Sequence, residues 1–174
     1  DPGEIWQTLE RERCTVVLGV PTIYKLLMES PAFETVGLSH VRWLISGGAP
    51  LPLYIIEAYQ RRGVAFKQGY GLTEVGVNCF SMTVEESVRK KGSIGKPMMF
   101  TEARAAGPDG SDAAAGEVGE LCVRGPQVTR GYWQQPDETA QVMMADGFLR
   151  TGDVAVMDAQ GYVRIVDRKK DTIL

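Results

Sequence analysis

Three short apolar runs, at residues 14–20, 41–45 and 64–67, are separated by helical stretches, and this alternation constrains the fold more than any other feature of the chain. The first run is valine-rich and does not alternate polar with apolar residues, which predicts a strand buried on both faces. A helix is predicted ahead of it, with Asp1 as cap, Pro2 in the first turn, and Ile5, Trp6 and Leu9 recurring at helical spacing up to Arg13. Pro21 opens a second helix whose apolar face is expected to hold Ile23, Leu26 and Leu27, and a third is predicted over 52–62. Strands and helices alternating through short connections give an α/β fold, a mostly parallel sheet with covering helices. Ligands on such sheets collect beyond the carboxyl ends of strands, where glycine-bearing loops follow Ile45 and Lys67.

After Pro97 the texture changes. Short strand candidates at 98–106, 119–124, 148–150, 153–157 and 162–166 are separated by turns such as Gly107-Pro108-Asp109-Gly110 and Asp158-Ala159-Gln160-Gly161, with one helix over 137–144. The organisation read from these patterns is an α/β subdomain over 1–98, followed by a small β-barrel-like subdomain over 99–167. A net charge of −3 gives no electrostatic case for nucleic acid or an anionic membrane. No apolar run reaches transmembrane length, while peripheral membrane contact and oligomeric state stay open. Cys14, Cys79 and Cys122 are odd in number and lack CxxC pairing, so they read as reduced, packed thiols of a cytoplasmic protein. His40, the one histidine, reads as a surface or capping residue, and Trp6, Trp43 and Trp133 as packing residues.

Residues 68–74 read Gln-Gly-Tyr-Gly-Leu-Thr-Glu and carry the most chemistry. Gly69 and Gly71 lack Cβ, so the backbone can turn sharply and approach a flat ligand. Tyr70 offers a ring for stacking, Thr73 a donor to a phosphate oxygen, and Glu74 a hard oxygen for Mg²⁺. The competing reading is a core aromatic followed by a helix start.

Gly147-Phe148-Leu149-Arg150-Thr151-Gly152-Asp153, Asp167-Arg168-Lys169-Lys170-Asp171 and Ser46-Gly47-Gly48-Ala49-Pro50 stand in order around that loop. Gly92-Ser93-Ile94-Gly95-Lys96-Pro97, Gly119-Glu120-Leu121 and Gly131-Tyr132-Trp133 lie between them. Together these motifs resemble the adenylate-forming enzymes, and within them the acyl-CoA synthetases, over nearly the whole chain. The resemblance implies a ligase that joins a carboxylic acid to the α-phosphate of ATP and then transfers the acyl group to coenzyme A. It further implies that Tyr70 stacks on adenine, Thr73 bonds the α-phosphate and Glu74 holds Mg²⁺. Asp153 would accept both ribose hydroxyls where a strand pair turns. Arg168 would contact ribose or phosphate, and Lys170 would be the hinge to a further domain, so that 168–174 begins that hinge. Gly47, Gly48 and Ala49 resemble the loop beside adenine and acyl chain, although small residues equally suit a tight strand-to-helix turn. Phe148 stands where the family usually has Trp.

The chain opens on Asp and closes just after the Lys170 motif, so it is expected to be the central piece of a longer enzyme, and to form no adenylate alone. The motif context resembles the fatty-acyl members most. An aryl-CoA ligase, an amino-acid adenylation domain and a folded non-catalytic module remain the alternatives. Leu72 and Asp167-Arg168-Lys169-Lys170 argue against the amino-acid reading. Acid chain length and pathway are not legible.

Overall fold

A computed structural model describes residues 1–168. They form two compact units, Asp1–Gly69 with Met82–Gly92, and Tyr70–Ser81 with Ser93 onward. Residues 70–81 thus fold with the second unit, whereas the sequence pattern groups them with 1–98.

In the first unit, helix α1 (Pro2–Arg11) begins where Asp1 Oδ1 accepts from the backbone N–H of Gly3 and Glu4 at 2.7 and 3.2 Å. His40 Nε2 lies 2.9 Å from the Leu9 carbonyl near the far end of α1, which fits the capping role, one of the two readings given for it. Then come β1 (Val16–Gly19), α2 (Pro21–Glu29), β2 (Trp43–Ser46), α3 (Leu53–Arg61) and β3 (Phe66–Gln68). The strands form a parallel sheet in the order β1-β2-β3, with Val17 beside Leu44 and Leu44 beside Phe66. Helix α4 (Val84–Arg89) closes the unit behind a reciprocal cap between Thr83 and Glu86.

Aromatic rings fill this core. Tyr24 packs edge-on against Phe66 at 4.6 Å and Phe33 against Tyr59 at 5.0 Å, with Trp6 buried beside them. Each polar tip finds a backbone carbonyl. Trp6 Nε1 donates to Leu27 O at 2.9 Å and Tyr59 OH to Tyr24 O at 3.0 Å. The single Tyr24 proton is shared between Val17 O at 2.9 Å and Ile45 O at 2.8 Å, which ties α2 to both β1 and β2. Two expectations are corrected here. Strand β1 is not buried on both faces, since Val16 and Leu18 are 44% and 73% exposed. On α2 the buried pair is Tyr24 and Leu27, while Ile23 and Leu26 face outward, because the large Tyr24 ring takes the place against the sheet.

In the second unit, β4 (Phe80–Ser81) pairs antiparallel with β5 (Lys96–Pro97). Strands β6 (Glu102–Ala106), β7 (Val118–Arg124), β8 (Leu149–Met157) and β9 (Val163–Arg168) form an antiparallel meander, with helix α5 (Pro136–Val142) between β7 and β8. Its core holds Val75, Phe80, Leu121, Val123, Leu149 and Val163. Two guanidinium groups lie over the Phe148 ring, Arg104 at 4.6 Å and Arg124 at 4.5 Å. One correction bears on the site. Residues 148–150 and 153–157 are not two strands around a turn: β8 runs through both, and Asp153 sits inside it. The strand absorbs Gly152 at φ +76° and a register shift between Val154 and Ala155, the kind of irregularity that re-aims a side chain. Cys79 and Cys122 are buried and all three cysteines are free thiols. Burial pushes the Cys79 thiol up to about 11. Among the described residues no helix is long and apolar enough to cross a membrane.

Candidate functional site

Asp153 is the centre of a buried polar cluster in the second unit. It is buried to 6% exposure on β8, and its Oδ2 accepts the Tyr70 phenol at 2.5 Å. Its Oδ1 lies 3.7 Å from Arg168 Nε, and Arg168 is its ladder partner on β9. Thr151 builds the local geometry: its hydroxyl donates to Leu121 O at 2.8 Å and accepts the Asp153 N–H at 3.1 Å. The Tyr70 ring is itself fixed, edge-on to Phe80 at 5.6 Å, and its carbonyl accepts the Cys79 N–H at 3.1 Å. Burial first, and then the hydrogen bond to Asp153, raise the Tyr70 pKa well above the ordinary phenol value, so the group is a neutral donor.

The residues after Tyr70 form a tight turn rather than the start of a helix. Leu72 bridges Gly76, and the Val75 N–H donates to Leu72 O at 3.1 Å. Gly71 is required by the chain itself, since a Cβ there would lie 2.6 Å from the Val77 carbonyl oxygen and closer still to that of Gly76. Thr73 is exposed on this turn and Glu74 half-buried. Glu74 is gripped twice: its carbonyl accepts the Thr129 N–H at 2.8 Å, and its Oε1 accepts the Tyr132 phenol at 2.9 Å. That hydrogen bond, ahead of the burial of Tyr132, raises the Tyr132 pKa.

In the first unit the loops after β2 and β3 adjoin, with the Gly69 N–H donating to Ser46 O at 2.8 Å and the Leu51 N–H to Gln68 Oε1 at 2.8 Å. Gly47 donates its N–H to Gly19 O at 3.2 Å. Gly48 adopts φ +85°, a conformation that excludes ordinary side chains, and both it and Ala49 are exposed. Lys170 lies outside the described residues. Of the tryptophans, Trp6 packs as expected and Trp43 lies beneath Lys67 Nζ at 4.4 Å, but Trp133 is 86% exposed and is no packing residue.

The structure therefore gathers Tyr70, Asp153 and Arg168 in one cluster, and Glu74 in another with Tyr132. Thr151, Phe80 and Tyr132 take part without having been singled out for a role. Thr151 could have been found from its place in Thr-Gly-Asp, since a hydroxyl two residues before a backbone N–H is a common local acceptor. Tyr132 sits in the noted Gly-Tyr-Trp motif, which gave it no partner. Chemically, a buried carboxylate beside a ring and a guanidinium suits a polyhydroxylated aromatic ligand carrying negative charge. Among the described residues no group of three or more His, Cys, Asp or Glu side chains could hold a metal ion.

Comparison with known proteins identifies the family. Residues 1–133 match the family model described as AMP-binding enzyme. The chain is 44% identical over 174 residues to a feruloyl-CoA synthase of an Amycolatopsis species, covering 100% of this chain and 35% of that protein. It is 42% identical to a long-chain-fatty-acid–CoA ligase of Salmonella typhimurium, covering 99% of this chain and 30% of that one. Among solved structures it is similar to an ATP-bound RpMatB-BxBclM chimera, with a TM-score of 0.89 and 36% identity over 99% of this chain and 34% of the chimera. The chain thus spans about a third of the length of the curated relatives it matches. With the family model covering most of its residues and the acid–CoA ligases among its relatives, this chain belongs to the adenylate-forming, AMP-binding enzymes.

Proposed function

We propose that this chain is the central segment of an ATP-dependent carboxylic acid–CoA ligase. In the first half-reaction a carboxylate oxygen of the acid bonds to the α-phosphorus of ATP, and the bond to pyrophosphate breaks. In the second, the coenzyme A thiol loses its proton and its sulfur attacks the acyl carbonyl, and AMP leaves. Charge builds on the α-phosphate oxygens in the first step, so positioning and charge stabilisation carry the catalysis.

The observation that carries this reading is the buried Asp153 carboxylate held beside Tyr70 and Arg168. In this reading Asp153 accepts both ribose hydroxyls, the Tyr70 ring stacks on adenine, and Arg168 meets ribose or phosphate. Exposed Thr73 donates to an α-phosphate oxygen. Gly69 and Gly71 shape the turn that presents these groups, and Gly47, Gly48 and Ala49 leave room for nucleotide and acyl chain. Glu74 would supply one oxygen to Mg²⁺. One oxygen of Glu74 accepts the Tyr132 phenol, and the carboxylate keeps acceptor capacity for a hard cation that also takes nucleotide phosphate oxygens. Bound there, Mg²⁺ would neutralise phosphate charge. Lys170 keeps its proposed place as the hinge between the two half-reactions. The two subdomains of this reading are the α/β part bearing Gly47, Gly48 and Ala49 and the β part bearing Asp153, with Tyr70 and the turn after it folding alongside Asp153.

A fatty acid is the first substrate class to test. An aromatic acid is the second reading, favoured by the 44% identity to a feruloyl-CoA synthase. Pyrophosphate release by the full-length protein, measured with fatty, cinnamate-like and amino acids, separates these readings. Release with amino acids alone would overturn the acid–CoA ligase assignment.

A further inference from the structure

We infer that Tyr70 is a positioning residue for the ribose-binding carboxylate as well as a ring for the base, its phenol fixing the rotamer and plane of Asp153. The inference rests on the ribose role proposed above and adds a second task to one side chain. The geometry begins at Phe80, which meets the Tyr70 ring edge-on at 83°, and at the Cys79 N–H, which holds the Tyr70 carbonyl. The phenol so placed donates to Asp153 Oδ2 at 2.5 Å, while Arg168 Nε stands off Oδ1 at 3.7 Å.

An aspartate carboxylate otherwise turns about its last bond over a broad, two-fold profile. A diol needs both oxygens presented in one plane, so a carboxylate already held gives up less freedom when the sugar arrives. One phenol bond leaves lone-pair sites on both oxygens, because an ionised carboxylate has about four. The bond runs from the phenol to the carboxylate, because an ionised carboxylate only accepts. The same tyrosine thereby links base recognition to sugar recognition. In the proposed reading the ring serves the base, while its phenol end holds the carboxylate that receives the ribose.

The test is a comparison of ATP with 2′,3′-dideoxyATP, by calorimetric binding to the full-length protein that carries this chain. Tyr70→Phe keeps the ring and removes the donor. It is expected to weaken ATP binding roughly 5- to 20-fold and dideoxyATP binding less than about twofold. Asp153→Asn should show the same selectivity. Adding Tyr70→Phe to it should cost little more, since the two residues act through one contact. Thermal unfolding of each variant separates loss of fold from loss of affinity. Equal losses for both nucleotides in Tyr70→Phe, or no loss for either, would overturn the positioning role while leaving the ribose reading intact. Equal losses for both in Asp153→Asn would overturn the ribose reading itself, and the positioning role with it.

Discussion

Two tyrosines of the first unit and two of the second do different things with the same hydroxyl. Tyr24 and Tyr59 donate to backbone carbonyls, neutral acceptors that belong to the sheet and to α2. Tyr70 and Tyr132 donate to the carboxylates of Asp153 and Glu74. A phenol satisfied by a carbonyl completes a core, because the buried hydroxyl would otherwise lack an acceptor. A phenol committed to a carboxylate holds a charged group with acceptor capacity to spare, which is what a ligand meets. In the function proposed above, the acceptor, more than the tyrosine, separates packing from chemistry.

Four substitutions would break or sharpen this contrast. The largest effect is expected from Tyr59→Ala, which empties the centre of the aromatic core and should cost about 3–5 kcal/mol of stability, as truncation of large aromatics does. Chemical denaturation measures it, and a loss below 1 kcal/mol would show that the first unit does not depend on its ring cluster. Next comes Asp153→Ala. It should weaken nucleotide binding by about 1.5–3 kcal/mol, the range for a hydrogen bond to a charged group, and should slow both half-reactions because ribose is present throughout. Separate assays of adenylate and thioester formation check this, and a defect confined to one step would contradict it. Tyr24→Phe removes only the donor shared by two carbonyls. About 0.5–1.5 kcal/mol of stability should go, with nucleotide affinity unchanged. A selective loss of affinity in that variant would erase the distinction between the two sets of tyrosines. The smallest change is expected for Tyr132→Phe on the half-exposed turn, where the Mg²⁺ concentration giving half-maximal activity should rise about two- to fivefold. An unchanged Mg²⁺ dependence would make the Glu74 contact incidental.

Much of the architecture was legible because it is local. The Asp1 cap, the alternation of strand and helix up to Gln68, and the turns at 107–110 and 158–161 all follow from neighbouring residues. What escaped is non-local. Tyr70 meets Asp153 across 83 residues, and Tyr132 meets Glu74 across 58. No periodicity encodes such pairs, although the resemblance had already set Tyr70, Glu74 and Asp153 apart. The apolar run at 14–20 implied cover on both faces, yet composition records only what a strand tolerates, and Leu18 stands exposed. Thr-Gly-Asp carries turn chemistry, and β8 accommodates it as an irregularity instead of ending there: its pairing with β7 passes from Arg150 to Val154, while Asp153 itself pairs with Arg168 on β9. The short pair β4 and β5 is two residues deep on each side, too brief to leave a pattern.

Gly71 gives the turn after Tyr70 an unusual tolerance profile. With no space for a Cβ beside Gly76 and Val77, every replacement at this position forces the backbone apart, whatever its polarity or size. Thr73, two residues on and exposed, is open to many replacements as far as folding goes. In a scan of all substitutions scored once for abundance and once for turnover, position 71 would fail both screens and position 73 only the second. Neighbouring sites would then carry opposite signatures, and a ranking by activity alone would merge them.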